Sequence, residues 1–223
     1  MEAISKSASF DALDFAKRTI RHEADALLRL ASQLDADFLS AIEMLRACRG
    51  AVIVTGMGKA GLIGNKISAT FCSTGTRSHF LHPAEAIHGD LGRVANEDCV
   101  LAISMSGETE ELTRLVPSLK KMTAGIVSIT GKKTNTLARS SNVVIELGNL
   151  KEVGVDALAP STSTTAMLAM GDALALTLSE QRGFRSHDFV RFHPGGSLGR
   201  KLTKVQEVMR PLGECRIATP PVS

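Results

Sequence analysis

The sequence predicts an α/β fold with three layers, a doubly wound five-stranded parallel sheet preceded by N-terminal helices. Three observations predict it. Five short apolar, partly β-branched runs occur at residues 51–55, 78–81, 99–103, 125–130 and 143–147. Each run leads into a polar or Gly-rich turn and then a helical stretch, the signature of parallel strands joined by crossover helices. The length of 223 residues is that of one large domain, or one domain plus a short appendage.

Taken in order, the elements begin with a long amphipathic helix, because Phe10, Leu13, Ala16, Ile20, Ala24 and Leu27 step by three or four and the pattern runs on to Leu34. A second helix follows around residues 38–47. After the strand runs, helices are expected near 62–73, 110–122, 134–140 and 162–181, the last stopped by Gly183. That final helix is apolar nearly all round, through Met167, Met170, Leu174, Leu176 and Leu178. It is therefore expected to be buried between the sheet and another layer, such as a second subunit.

Composition narrows the function classes. Hydrophobic residues make up 43% and charged residues 22%, which excludes disorder, collagen and coiled coil. The net charge of +3 is spread without a basic run, and with no Trp or Tyr there is little to stack bases on, so no nucleic-acid partner is expected. Met1-Glu2-Ala3 opens neither a basic nor an apolar targeting region, and no apolar run approaches the ~18 residues that span a bilayer. A cytoplasmic protein without a membrane partner is expected. Cys48, Cys72, Cys99 and Cys215 lack a C-x-x-C spacing, and the first three lie in apolar segments, so reduced buried thiols are expected.

On a doubly wound sheet, ligands bind at the carboxyl ends of the strands, which directs attention to the loops starting at Gly56, His82, Ser104, Gly131 and Gly148. Residues 56–61, Gly-Met-Gly-Lys-Ala-Gly, match G-x-G-x-x-G, yet the second strand ends in Phe80-Leu81-His82 with no carboxylate for a ribose hydroxyl. A glycine-rich turn that brings backbone and Lys59 to a small anionic ligand fits better, and no nucleotide cofactor is expected. Residues 104–111, Ser-Met-Ser-Gly-Glu-Thr-Glu-Glu, place the hydroxyls of Ser104, Ser106 and Thr109 at the start of a helix, a phosphate cradle. Ordinary helix capping is the competing explanation, although three hydroxyls exceed what a cap requires. Residues 160–165, Pro-Ser-Thr-Ser-Thr-Thr, offer a second hydroxyl set on the same edge, with Ser161 and Thr162 foremost. A phosphate at one end and hydroxyls along the rest describe a sugar phosphate. Glu111, Glu152, His82, His88 and His193 are the remaining candidates.

Together the segments TGMGKAG, LHPAEAIHGDLG (81–92), SMSGETEE, LAPSTSTTAMLAMGDALA (158–175) and FHPGGSLGRKL (192–202) resemble the sugar isomerase (SIS) domain of bacterial arabinose-5-phosphate isomerases, over residues 10–205. The serine-rich loop alone marks only the wider superfamily, which includes transcriptional sensors. The resemblance implies a flavodoxin-like strand order and interconversion of D-ribulose 5-phosphate and D-arabinose 5-phosphate, feeding the eight-carbon acid sugar Kdo of lipopolysaccharide or capsule. It implies catalytic positions at Lys59, Glu111, Glu152 and His193, and substrate contacts at Gly75, Thr76, His82 and His88. It also implies turnover without a metal cofactor, inhibition by zinc through His82, and a tetramer. The chemistry agrees with the residues: isomerisation through an enediolate needs a base, an acid and a cation. Glu152, shielded from water, is expected to have its pKa raised toward neutrality and carry the proton. Lys59 is expected to polarise the oxygen on which charge develops. A non-catalytic sugar-phosphate sensor and a phosphoheptose or phosphohexulose isomerase are the rival readings.

The same resemblance divides the chain into an N-terminal helix (1–36), the SIS domain (37–202), and a lead-in (203–223) to the regulatory CBS domains of full-length members. Residues 211–223 have no partner on which to bury Ile217 or Val222, so a catalytic fragment of a longer protein, or a naturally short member, is expected.

Overall fold

A computed structural model describes residues 10–193 and 209–214. The chain begins with α1 (Ala12–Ser32), capped by the Asp11 carboxylate, which accepts from the Asp14 N–H at 2.9 Å. Then follow α2 (Ala36–Ala47), β1 (Val52–Gly56), α3 (Gly58–Ser73), β2 (Ser78–Leu81) and α4 (Pro83–Ile87). The second half contains β3 (Cys99–Ser104), α5 (Glu110–Met122), β4 (Gly125–Thr130), α6 (Thr136–Ser140) and β5 (Val143–Glu146). The long α7 (Thr162–Gln181) and the short α8 (Ser186–Phe192) complete the main body. The five expected strands are therefore present, in a wholly parallel sheet of order β2-β1-β3-β4-β5.

Each strand sends alternate side chains to opposite faces, and the two faces bury two separate clusters. Val54, Leu101, Ile103, Val127 and Ile129 face the layer built from α1, α2, α3 and α7. Ile53, Val100, Ala102 and Ile126 face α4, α5 and α6. The apolar α7 is covered by α3, α1 and α2, as its all-round hydrophobicity requires. Two helices escape the sequence reading, α4 and α8, because five and seven residues are too few to show a 3.6-residue period.

Of the three expected buried thiols, Cys99 is buried and Cys48 half-buried, whereas Cys72 is exposed, on the outer side of α3 beside buried Phe71; all three are free. Cys215, most of the lead-in and tail, and the glycine turn after His193 lie outside the described residues.

Gly171 sets the approach of α7 to α3. A Cβ there would stand 2.3 Å from Cδ1 of fully buried Ile67. Gly171→Val is expected to cost roughly 1–3 kcal/mol through overpacking. Thermal unfolding checks it, and an unchanged Tm would show that the two helices can separate freely.

Candidate active site

Strand order decides where a ligand belongs. β1 and β3 are neighbours, and the chain leaves them in opposite directions, through α3 to β2 and through α5 to β4. α3 and α5 thus cover opposite faces, and a crevice opens between them at the carboxyl ends of the strands. A cleft of about 280 Å³ lies there, lined among others by Lys59, Ser104, Ser106, Thr109, Ser163 and Thr164. Lys59 also lines a second cleft of about 440 Å³ with Asn65, Phe80 and His82.

The serine loop is built rather than merely polar. The Ser104 hydroxyl is buried, accepts the Gly107 N–H at 3.1 Å and lies 2.9 Å from the Thr109 hydroxyl. Gly107 has φ +64°, and a Cβ on it would stand 2.0 Å from the Asn135 side chain. Asn135 is itself fixed, donating to Thr130 Oγ1 at 2.7 Å and accepting from the Ala138 N–H at 2.8 Å. Ser106 is exposed at the crevice, with its oxygen accepting the Glu108 N–H at 3.2 Å. Thr109 precedes α5 without capping it, so among the described residues the first N–H groups of that helix carry no side-chain acceptor.

The start of α7 is different, because Glu152 closes it. One carboxylate oxygen accepts the Ser161 N–H at 2.8 Å and the Ser161 hydroxyl at 3.3 Å, and the other accepts the Ser163 N–H at 3.3 Å. Partial burial pushes the Glu152 carboxyl up, but hydrogen bonds from the Ser163 side chain and from the backbone of Ser161, Ser163 and Thr162 outweigh it. Its pKa lies below the ordinary value, the reverse of the expected rise. The group is a fixed carboxylate at neutral pH. Of the two helix starts, α5 is therefore the one left open to an anion.

The remaining expected residues divide into those near this crevice and those away from it. Glu111 lies in the first turn of α5, half-buried, with no hydrogen bond or ion pair among the described residues. Ser161 is occupied by Glu152, and Thr162 is buried with its hydroxyl unpartnered among the described residues; Ser163 and Thr164 are the members of the run that line the cleft, with the Thr164 hydroxyl donating to the Ser161 carbonyl at 2.9 Å. The sequence offered all of them in one run, and the helical phase selects among them. His82 immediately precedes α4 beside the second cleft without a capping bond from its side chain, its Nδ1 buried without a hydrogen-bond partner among the described residues, while His88 ends α4 exposed. Among the described residues no group of three His, Cys, Asp or Glu is arranged to hold a metal, so zinc at His82 has no further ligands gathered for it there.

Gly75, Thr76 and His193 are not brought to the crevice of their own chain. Gly75 and Thr76 follow α3 and precede β2, at the amino ends of the strands, where Thr76 Oγ1 accepts from Arg182 at 2.8 Å. His193 follows α8, its ring stacked 3.8 Å from that of Phe189 and its Nδ1 2.9 Å from the Phe189 carbonyl oxygen. Phe192, its neighbour, stacks on Phe184, which packs against Gly75. The 20 residues of α7 span about 30 Å, and Phe184, on which Phe192 stacks, follows the end of that helix far from Ser163.

Comparison with known proteins places these features. The SIS domain family model matches residues 44–177. An arabinose 5-phosphate isomerase, KpsF, of Escherichia coli strain CFT073 is 48% identical over 196 residues, covering 87% of this chain and 60% of its own length. The arabinose 5-phosphate isomerase KdsD of Pseudomonas aeruginosa is 45% identical over 207 residues, covering 92% of this chain and 64% of its own length. The chain thus spans less than two thirds of these curated relatives. A solved structure of an Escherichia coli CFT073 protein in complex with arabinose 5-phosphate superposes with a TM-score of 0.80 at 41% identity, covering 84% of this chain and 100% of the other. Family model, identity and parallel sheet agree that this chain belongs to the SIS domain family and is homologous to the arabinose 5-phosphate isomerases within it.

Proposed function

We propose that the crevice between α3 and α5 interconverts D-arabinose 5-phosphate and D-ribulose 5-phosphate through an enediolate. The observation that carries the reading is that a serine loop at an open helix start and an exposed Lys59 line one crevice with Ser163, the residue whose N–H holds the Glu152 carboxylate at the start of α7. The substrate phosphate sits on Ser106, Thr109 and the N–H groups of α5. Glu152, ionised in the free protein, takes the proton next to the carbonyl and returns it to the neighbouring carbon. Exclusion of water by the sugar raises its basicity, because burial is the upward influence already acting on it. Lys59 stabilises the oxygen on which charge develops, and Glu111 orients a hydroxyl or shares the base role.

His193 and Gly75-Thr76 enter this scheme from a neighbouring subunit. The exposed apolar side chains of α1 support such an assembly: Leu13, Ile20 and Leu28 are 64%, 69% and 70% exposed, and Leu34, just past the end of the helix, is 45% exposed. Covering them calls for another copy, and a tetramer is the assembly proposed. The place of the reaction is the cytoplasm, and its product supplies Kdo for lipopolysaccharide or capsule.

Specificity tests the reading. With arabinose, glucose, fructose and sedoheptulose phosphates supplied in parallel, kcat/KM is expected to be highest for the pentose phosphate. A preference for the hexose or heptose phosphates would replace the assignment by a sister isomerase, and binding without turnover would make the chain a sensor. Ser106→Ala is expected to raise KM with little change in kcat, since phosphate binding is common to ground and transition states. Steady-state kinetics check this, and a loss confined to kcat would remove Ser106 from the phosphate site.

A further inference from the structure

The segment that carries Glu152 runs from Gly148 to the start of α7, and much of it is irregular. Asp156 and Ala157 have φ +53° and +51°, a left-handed conformation uncommon for side-chain-bearing residues. Two adjacent residues of α1 hold this segment at its ends. His22 Nε2 lies 2.8 Å from the carbonyl oxygen of Lys151, the residue before Glu152. Glu23 Oε2 accepts from Thr165 Oγ1 at 3.2 Å, in the first turn of α7. With Glu152 bonded to Ser161 and Ser163, the contacts close a circuit from α1 through the loop to α7 and back to α1.

The circuit matters because Glu152 does two jobs. Its carboxylate is the acceptor that ties its own loop to α7, and the same carboxylate receives the proton in the proposed reaction. Once protonated it is a weaker acceptor for the Ser161 and Ser163 N–H groups, since hydrogen bonds to a charged acceptor are roughly twice as strong as neutral ones. The tie therefore loosens at the step where the base must stay in place to return the proton. The His22 bond to the Lys151 carbonyl does not involve the Glu152 carboxyl and persists through that step.

We infer that His22 is a positioning residue, holding the backbone at Lys151 so that Glu152 stays aligned in both of its protonation states. The inference rests on the reading of Glu152 as the base. Its chemistry requires only an N–H donor at the Nε2 position of residue 22, which the neutral imidazole with its proton on Nε2 provides.

The test uses the full chain. His22→Ala is expected to lower kcat by about tenfold with KM nearly unchanged, the scale of a small misplacement of a reacting group. His22→Gln, which returns an N–H donor, is expected to recover most of the loss. The double variant His22→Ala with Glu152→Gln is expected to be no slower than Glu152→Gln alone, because an effect exerted through Glu152 vanishes once the base is gone. A full multiplication of the two losses, or failure of Gln to rescue, would overturn the inference and leave His22 a structural residue. Amide hydrogen exchange over residues 150–156 reads the same latch without turnover: faster exchange is expected in His22→Ala, restored in His22→Gln. Unchanged exchange would overturn the inference even if the protein proved to act on another substrate. A wild-type chain inert on pentose phosphates defeats the base assignment instead, whereas an active wild type with an unimpaired His22→Ala variant defeats this inference alone.

Discussion

Glu152→Gln is expected to lower kcat by roughly 10²-fold or more, the scale of general base catalysis, while KM changes little. With its amide oxygen in the place of Oε2, Gln still accepts the N–H groups of Ser161 and Ser163, which that oxygen holds at 2.8 and 3.4 Å, so the start of α7 keeps its cap and the chain its fold. What disappears is the charge and the ability to take a proton. The same variant identifies the Glu152 signal in a carbon NMR titration of the side-chain carboxyls. Its midpoint is expected below the ordinary glutamate value of about 4.3, because the hydrogen bonds around it outweigh burial. A lowered folded-state pKa means that the carboxylate's hold on α7 is fully present above the ordinary glutamate range and is lost as pH falls through the lower folded value. Full activity of Glu152→Gln would assign the base elsewhere, with Glu111 next to be replaced.

Lys59→Ala and His193→Ala are each expected to be nearly inactive alone and to recover activity when mixed. The geometry behind this is the length of α7, which carries His193 away from the crevice where Lys59 lies. In a mixed assembly some crevices combine an intact Lys59 from one subunit with an intact His193 from its neighbour. Activity that stays absent after subunit exchange has been verified would mean that both residues serve the same site from one chain, and that α8 must fold back toward the crevice.

The sheet was legible because its strands are short apolar runs set off by Gly and Ser, and β2 and β4 fall on the residues their composition indicates. The crevice was legible too, since the Ser104 and Gly56 loops are the two that the strand order brings to the switch point. Three things were hidden, each for a physical reason. The direction of the Glu152 shift depends on the Ser163 side chain and on backbone N–H groups nine and eleven residues away, whose approach to Glu152 no sequence pattern announces. The selection of Ser163 and Thr164 over Ser161 and Thr162 depends on helical phase, which a run of hydroxyl residues does not reveal. The distance of Gly75, Thr76 and His193 from the crevice is a property of the crossovers: α3 and α7 each carry the chain from the carboxyl to the amino ends of the strands. Pro83, at the first position of α4, was a readable helix start in a loop too short to show periodicity.

The measurement that bears most directly on the account is an NMR time course of the chelator-treated chain with D-arabinose 5-phosphate. Lys59 as the cation and Glu152 as the base predict steady appearance of D-ribulose 5-phosphate, approached equally from the opposite direction, with no added metal or nucleotide. Absence of conversion, or conversion only after a divalent metal is restored, would contradict it.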